Sequence, residues 1–175
     1  MRTRLPRSGI KTPADLKGRK IAFTSPTSNS GFKMPSVLLR SEFGLEPERD
    51  YSAVFAGRHE NSVLGVATKD YDAAAIANEV MHRMMARGVV QKNQIVTVYK
   101  SDTFPTAGFG LAHNLDPGLV SKIREAFFSF PWAGSALAKE FATLGVSRFM
   151  PITYRDDWAA VRKIDAAANV RYACK

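Results

Sequence analysis

Three times within its first hundred residues the chain repeats one plan: a short apolar run, a polar loop, and a stretch of helical periodicity. Strands separated by helices must lie parallel, because an antiparallel return needs only a tight turn and no helical crossover. Parallel strands bury both faces, which calls for helices on both sides of the sheet and right-handed crossovers between strands. More than any other feature, this repetition restricts the fold to an α/β lobe built in layers.

The first unit has a strand at 19–23, a polar loop at 25–31 and a helix at 32–43, with Met34, Val37 and Leu38 on one side and Gly44 at its end. Pro35 falls near the first turn, where its missing N–H is tolerated. In the second unit a β-branched and aromatic strand at 51–56 turns at Gly57 into a helix at 60–68 that buries Val63, Leu64 and Ala67. The third joins a small-residue strand at 72–76 to a helix at 78–86 ended by Gly88, and a fourth strand is expected at 94–99. Ahead of them, Thr12-Pro13-Ala14-Asp15 carries the cap, first-position proline and acid of a helix start that Gly18 stops at once.

Past Ser101 the pattern changes. One further strand is expected at 107–112, and then helices dominate. Asp116 caps a helix whose Leu119, Val120, Ile123, Ala126, Phe127 and Phe130 share a face. Others are expected at 133–144 and 156–168, the last with Trp158, Val161 and Ile164 inward. Two domains follow: an α/β lobe at 8–100 and a helix-rich segment at 101–175.

Composition removes several function classes. The 175 residues carry 25 Lys plus Arg against 16 Asp plus Glu, a formal charge of +9, with Arg2, Arg4, Arg7, Lys11, Lys17, Arg19 and Lys20 gathered near the start. A nucleic-acid binder interleaves aromatics with its basic residues or presents a basic helix, and neither pattern is visible, so no nucleic acid is expected as partner. The excess charge still concentrates small anions around any cleft they can enter. One cysteine, Cys174, excludes an internal disulfide and a cysteine-built zinc site, and His59, His82 and His113 stand far apart, so neither metal nor cofactor is expected. No G-x-S-x-G elbow, H-E-x-x-H helix or Walker loop occurs, and nothing fixes Glu60 and Glu79 as an acid–base pair, which favours binding without turnover. No apolar run approaches the ~20 residues of a membrane span, and residues 1–20 lack the apolar stretch of a secretory signal.

Ligands of open α/β sheets bind outside the carboxyl ends of the strands, where loops run into helix starts. The loop Ser25-Pro26-Thr27-Ser28-Asn29-Ser30-Gly31 precedes one such start. Two readings stand for it: an anion cradle at the positive end of a helix dipole, or a Ser28 or Ser30 that simply caps its own helix. His59, at the next helix start, is either a hydrogen-bond donor to an oxyanion or an exposed loop histidine. Glu79, at the third, is either a first-turn acid that complements the dipole or a carboxylate that meets a cationic ligand group. All three fall at the same strand ends of the same lobe.

Ser8-Gly9-Ile10-Lys11-Thr12 and Asp15-Leu16-Lys17-Gly18-Arg19-Lys20-Ile21-Ala22-Phe23 resemble a run found in type II periplasmic binding proteins. More narrowly, the loop at 25–31 resembles the Asp-Pro-x-Ser-Thr-Ser-Gly loop of the phosphonate-binding proteins of ABC transporters. Phe55-Ala56-Gly57-Arg58-His59-Glu60 is similar to that family's F-x-G-x-H turn, and Asp70-Tyr71-Asp72-Ala73-Ala74-Ala75 to its G-x-VDAAA strand. The resemblance implies a bilobal solute-binding component that binds phosphonate, phosphite or phosphate in an interlobe cleft and delivers it to a membrane permease in the periplasm. It implies that Ser28, Asn29 and Ser30 hold the oxyanion, that His59 hydrogen-bonds it, and that Glu79 meets an amine or a protonated oxygen. Ser25 stands where the family has Asp, Asn29 where it has Thr, and Phe104-Pro105-Thr106-Ala107 has no acid where some members carry one. Members are longer, with a signal peptide and an α/β segment ahead of Ser8, so the resemblance implies a chain truncated at its front and an incomplete second lobe. Two other functions compete: a sensing module of the same fold for another anion, and a basic nucleic-acid-binding domain.

Overall fold

Strand β1 (Lys20–Phe23) is the middle strand of a three-stranded parallel sheet, between β2 (Ser52–Phe55) and β3 (Ala73–Ala74). Lys20 pairs with Ser52 and Phe23 with Phe55 on one side, and Ile21 with Ala73 and Ala22 with Ala74 on the other. The chain therefore leaves β1 for one edge and then crosses to the opposite edge. That order places a topological switch point beside β1, where loops from neighbouring strands diverge and leave a crevice. The computed structural model describes residues 9–104, 108–142 and 146–167. Arg2, Arg4, Arg7, Ser8, Pro105, Thr106, Ala107, Leu144, Ala168 and Cys174, which figure in the sequence reading, lie outside the described residues.

Alternation along β1 divides the core. Ile21 and Phe23, 2% and 0% exposed, join Ile10, Leu16, Leu39, Leu45 and Tyr51 in one cluster. That cluster includes helix α1 (Met34–Phe43), whose C-cap Gly44 adopts φ 64°. The Leu45 N–H bonds back to the Leu39 carbonyl at 2.9 Å, so two buried leucines seal the helix end. Ala22 faces the other way, and its small side chain admits helix α2 (His59–Ala67), which packs on β1 and β3. Helix α3 (Asn78–Ala86) packs on α2 through Val63, Val80 and Met84. The layered α/β arrangement expected from the repetition is the one observed.

Several boundaries differ, each for a local reason. The helix expected from 32 starts as a π-turn over Asn29–Lys33, because the N–H groups of Phe32 and Lys33 both converge on the Ser28 carbonyl, at 3.1 and 2.9 Å. The segment 94–99 is not a strand. It opens in a 3-10 turn, and though Ile95 and Val98 lie against the two core clusters, no neighbouring strand pairs with it among the described residues. Apolar periodicity marked buried positions there, but a strand also needs a ladder partner. The described part of 107–112 is likewise unpaired, with Phe109 79% exposed.

The described residues cluster as 9–104 with 160–167, and as 108–142 with 146–159. In the second unit, helix α4 (Pro117–Phe128) starts at Asp116, whose carboxylate accepts the Leu119 N–H at 2.9 Å. Helix α5 (Ala136–Glu140) is shorter than the expected 133–144, because Gly134 turns at φ 75° and the Ser135 hydroxyl caps Ala138. Rings gather around Phe149, with Phe127 at 5.0 Å, Trp132 at 5.4 Å and Phe130 at 5.8 Å. No described residue of this unit is fully buried, so the apolar face expected on α4 is only half covered. Helix α6 (Ala159–Ala167) sets Val161 and Ile164, each 3% exposed, into the first unit.

A buried ion pair fixes α6 there: Lys33 Nζ lies 3.1 Å from Asp165 Oδ1, with both side chains about one-tenth exposed. Removing one member of such a pair strands a buried charge, whereas replacing both with apolar groups of similar volume is close to neutral. Asp165→Ala is expected to lower the unfolding free energy by about 3–5 kcal/mol in urea titrations, and Lys33→Met with Asp165→Leu to recover most of that loss.

Candidate functional site

The loop after β1 is shaped by one close approach. Thr24, 3% exposed, donates its N–H to the Gly31 carbonyl at 3.1 Å and accepts the Gly57 N–H on its own carbonyl at 2.9 Å. It thereby ties the first loop to the second. A Cβ on Gly31 would collide with Thr24 Oγ1, Cγ2 and Cβ, so only glycine fits. One residue on, the Phe32 ring stands 5.2 Å from Phe23 and 5.0 Å from Phe55, which seats the turn on the end of the sheet.

Above this seat, Ser28 is the cap: its Oγ accepts the Gly31 N–H at 3.0 Å. The capping reading of the loop is therefore realised at Ser28, and it does not exclude the other, since the hydroxyl hydrogen is not used in that bond. The N–H groups of Asn29 and Ser30 open the helix, where no intrahelical acceptor exists for them. Ser28, Asn29 and Ser30 are all half-buried. Two polar atoms of the loop, Thr24 Oγ1 and Asn29 Oδ1, are buried with no hydrogen-bond partner among the described residues.

His59 is the first residue of α2 and is half-buried rather than a free loop histidine. Its Nδ1 accepts the Ala77 N–H at 3.0 Å, just ahead of α3. A ring nitrogen that accepts cannot carry a proton, so the neutral ring holds its hydrogen on Nε2. Burial lowers the His59 pKa below its ordinary value, against a smaller upward pull from Glu79 and Glu60. The imidazole is thus a neutral donor. Asn61 adds a second tie, donating Nδ2 to the Ala56 carbonyl at 2.8 Å. Glu60 pairs with Arg83 at 3.6 Å, whereas half-buried Glu79 has no hydrogen bond or ion pair among the described residues.

The parallel sheet therefore brings the three predicted loops to the carboxyl end of its strands, with His59 bonded across to the segment just ahead of the helix that carries Glu79. The arrangement offers hydroxyl, backbone N–H and imidazole donors, which suit a tetrahedral anion held by oriented hydrogen bonds. Among the described residues no group of three or more His, Cys, Asp or Glu gathers as a metal site would require. Sequence reasoning missed Thr24 and Ala77, which organise the loops through backbone contacts. Gly31 was the visible signal for the first, since a glycine at a helix start marks close approach of another chain segment.

A family model described as the phosphonate-binding periplasmic substrate-binding protein of ABC transporters matches residues 5–158. A phosphate-import protein, PhnD, of Mycolicibacterium smegmatis is 32% identical over 177 aligned residues, covering 95% of this chain and 53% of the relative. The chain thus spans about half the length of that curated relative. Among solved structures, PhnD1 of Prochlorococcus marinus in complex with methylphosphonate superposes with a TM-score of 0.75 at 16% identity, covering 94% of this chain and 61% of that one. A binding component of an ABC phosphonate transporter from Pseudomonas aeruginosa gives 0.72 at 22% identity, covering 92% and 54%. The last two are likenesses of fold.

Two measurements check this geometry. Proton–nitrogen correlation spectra should show His59 as the Nε2–H tautomer, titrating below the ordinary value of about 6.5. Because its folded pKa is the lower one, stability is full above about pH 6.5 and falls as acid drives protonation of the unfolded state. Gly31→Ala should cost about 1–3 kcal/mol in urea unfolding, through overpacking against Thr24.

Proposed function

Because the chain belongs to the phosphonate-binding family of periplasmic ABC-transporter substrate-binding proteins, we propose that it binds a phosphonate or related phosphorus oxyanion for delivery to a membrane permease. In this reading residues 8–100, with α6 returning to them at 160–167, supply the anion-binding lobe, the intervening part of the expected 101–175 segment belongs to the other lobe, and the protein works in the periplasm without chemical turnover. Among the described residues no helix is long and apolar enough to cross a membrane.

The observation that carries the reading is the His59–Ala77 bond, which commits the imidazole to donate from Nε2 at the strand end where the Ser28-Asn29-Ser30 helix start opens. Ser28 and Ser30 hydroxyls, the Asn29 amide and the first N–H groups of the helix would hold three ligand oxygens, with His59 on a fourth contact. Each such bond to a charged oxygen contributes about 1.5–3 kcal/mol. Neutral donors suit a site that must release its ligand, since no buried counter-charge is left stranded when the anion departs. Glu79, with no hydrogen bond or ion pair among the described residues, would meet the ammonium of an aminoalkylphosphonate or a protonated ligand oxygen. The net charge of +9 raises the anion concentration near the protein and so the capture rate.

Thermal unfolding with 2-aminoethylphosphonate, methylphosphonate, phosphite and phosphate in turn tests the reading. A ligand at about 100 times its Kd adds about 2.7 kcal/mol, or roughly 5–10 °C. Ser28→Ala with Ser30→Ala is expected to abolish that shift; the lost cap lowers the unliganded Tm as well, so the ligand-induced shift is the readout. Glu79→Gln should weaken 2-aminoethylphosphonate more than phosphite. No shift with any of the four anions, or an unchanged shift in the double variant, overturns the assignment.

A further inference from the structure

Resting on that reading, we propose that Glu60 is a positioning residue for ligand choice: by holding Arg83 it keeps the Glu79 carboxylate open to the ammonium of an aminoalkylphosphonate. Glu79 and Arg83 stand four residues apart on α3, so they share one face of that helix. A glutamate placed four residues ahead of a cation is the favourable order for an ion pair along a helix. That pair does not form. Arg83 Nη2 instead crosses to Glu60 Oε1 on α2 at 3.6 Å, while Glu79 has no hydrogen bond or ion pair among the described residues. Against the burial that lowers the His59 pKa, Glu79 and then Glu60 pull it upward. Both carboxylates therefore lie within electrostatic reach of the imidazole that would bind the oxyanion.

Two carboxylates compete here for one guanidinium. Arg83 is 24% exposed and Glu60 47%, so their pair is partly solvated and its loss costs the fold little. Its consequence falls on Glu79. With Glu60 engaged, the Glu79 charge is left uncompensated at the strand end where the ligand would sit. Without Glu60, the guanidinium turns to Glu79, and a ligand ammonium must displace it before pairing there. A phosphonate that has no amine meets no such competition. Glu60 thus acts on the ratio of two affinities, through Arg83, and touches neither ligand.

Isothermal titration of the 175-residue chain with 2-aminoethylphosphonate and methylphosphonate tests the assignment. The pH is set above the ordinary histidine range and below that of an alkyl ammonium, so that His59 stays neutral and the amine stays charged. Glu60→Gln is expected to weaken 2-aminoethylphosphonate about two- to fivefold and to leave methylphosphonate unchanged. Arg83→Gln should keep or raise the preference for the amine, and Glu60→Gln combined with Arg83→Gln should restore it. A pair that only braced α2 against α3 would be lost alike in both single variants, so an equal fall of the ratio in the two overturns the role of Glu60. A fall that persists undiminished in the double variant marks a direct pull of Glu60 on the ammonium, and also overturns it, as does an unchanged ratio in Glu60→Gln. Binding of methylphosphonate but not 2-aminoethylphosphonate overturns this assignment and leaves the oxyanion reading in place. Failure of both phosphonates to bind the unaltered chain overturns the proposed function and this assignment together.

Discussion

Close packing of Thr24 against Gly31 at the end of the central strand is the contact on which the rest of the site depends. It brings the helix start down onto the sheet edge, so that Phe32 reaches Phe23 and Phe55 and the turn becomes part of the core. The same residue receives the Gly57 N–H, which draws the second loop alongside the first. A loop held this way loses little further freedom when a ligand arrives, and preorganisation of donors is what converts hydrogen bonds into affinity.

The electrostatics of this edge are gentle for so basic a chain. Lys33, one turn into the helix, is drawn into a buried pair with Asp165 of α6. His59 is kept neutral by burial and by its role as acceptor toward Ala77. What remains is directional: N–H and O–H groups arranged around a helix start. In the proposed function, long-range attraction would come from the net charge and recognition from hydrogen-bond geometry.

The two units differ in how much of their structure local sequence could reveal. In the first, strand and helix identities followed from apolar spacing and glycine stops, and Asn78–Ala86 came out with the expected bounds. The π-turn at Asn29–Lys33 was not legible, because it depends on two N–H groups sharing the Ser28 carbonyl. The segment 94–99 reads as a strand by composition but is not one, because pairing is decided by a neighbour elsewhere in the chain. In the second unit the ring cluster around Phe149 joins Phe127, Phe130 and Trp132 with Phe109, a meeting that no helical spacing encodes.

By itself the sequence determined that an α/β lobe forms, that three polar loops stand at the carboxyl ends of its strands, and that Ser28, Asn29, Ser30, His59 and Glu79 are its notable polar residues. Those facts depend on periodicity and residue type, which are local. Only the tertiary structure decided that Ser28 is the cap, that the neutral His59 ring carries its hydrogen on Nε2, and that Asn29 Oδ1 is buried with no hydrogen-bond partner among the described residues. Each depends on a backbone group brought near by packing, and hydrogen-bond partners across such distances leave no mark on the spacing of residues along the chain.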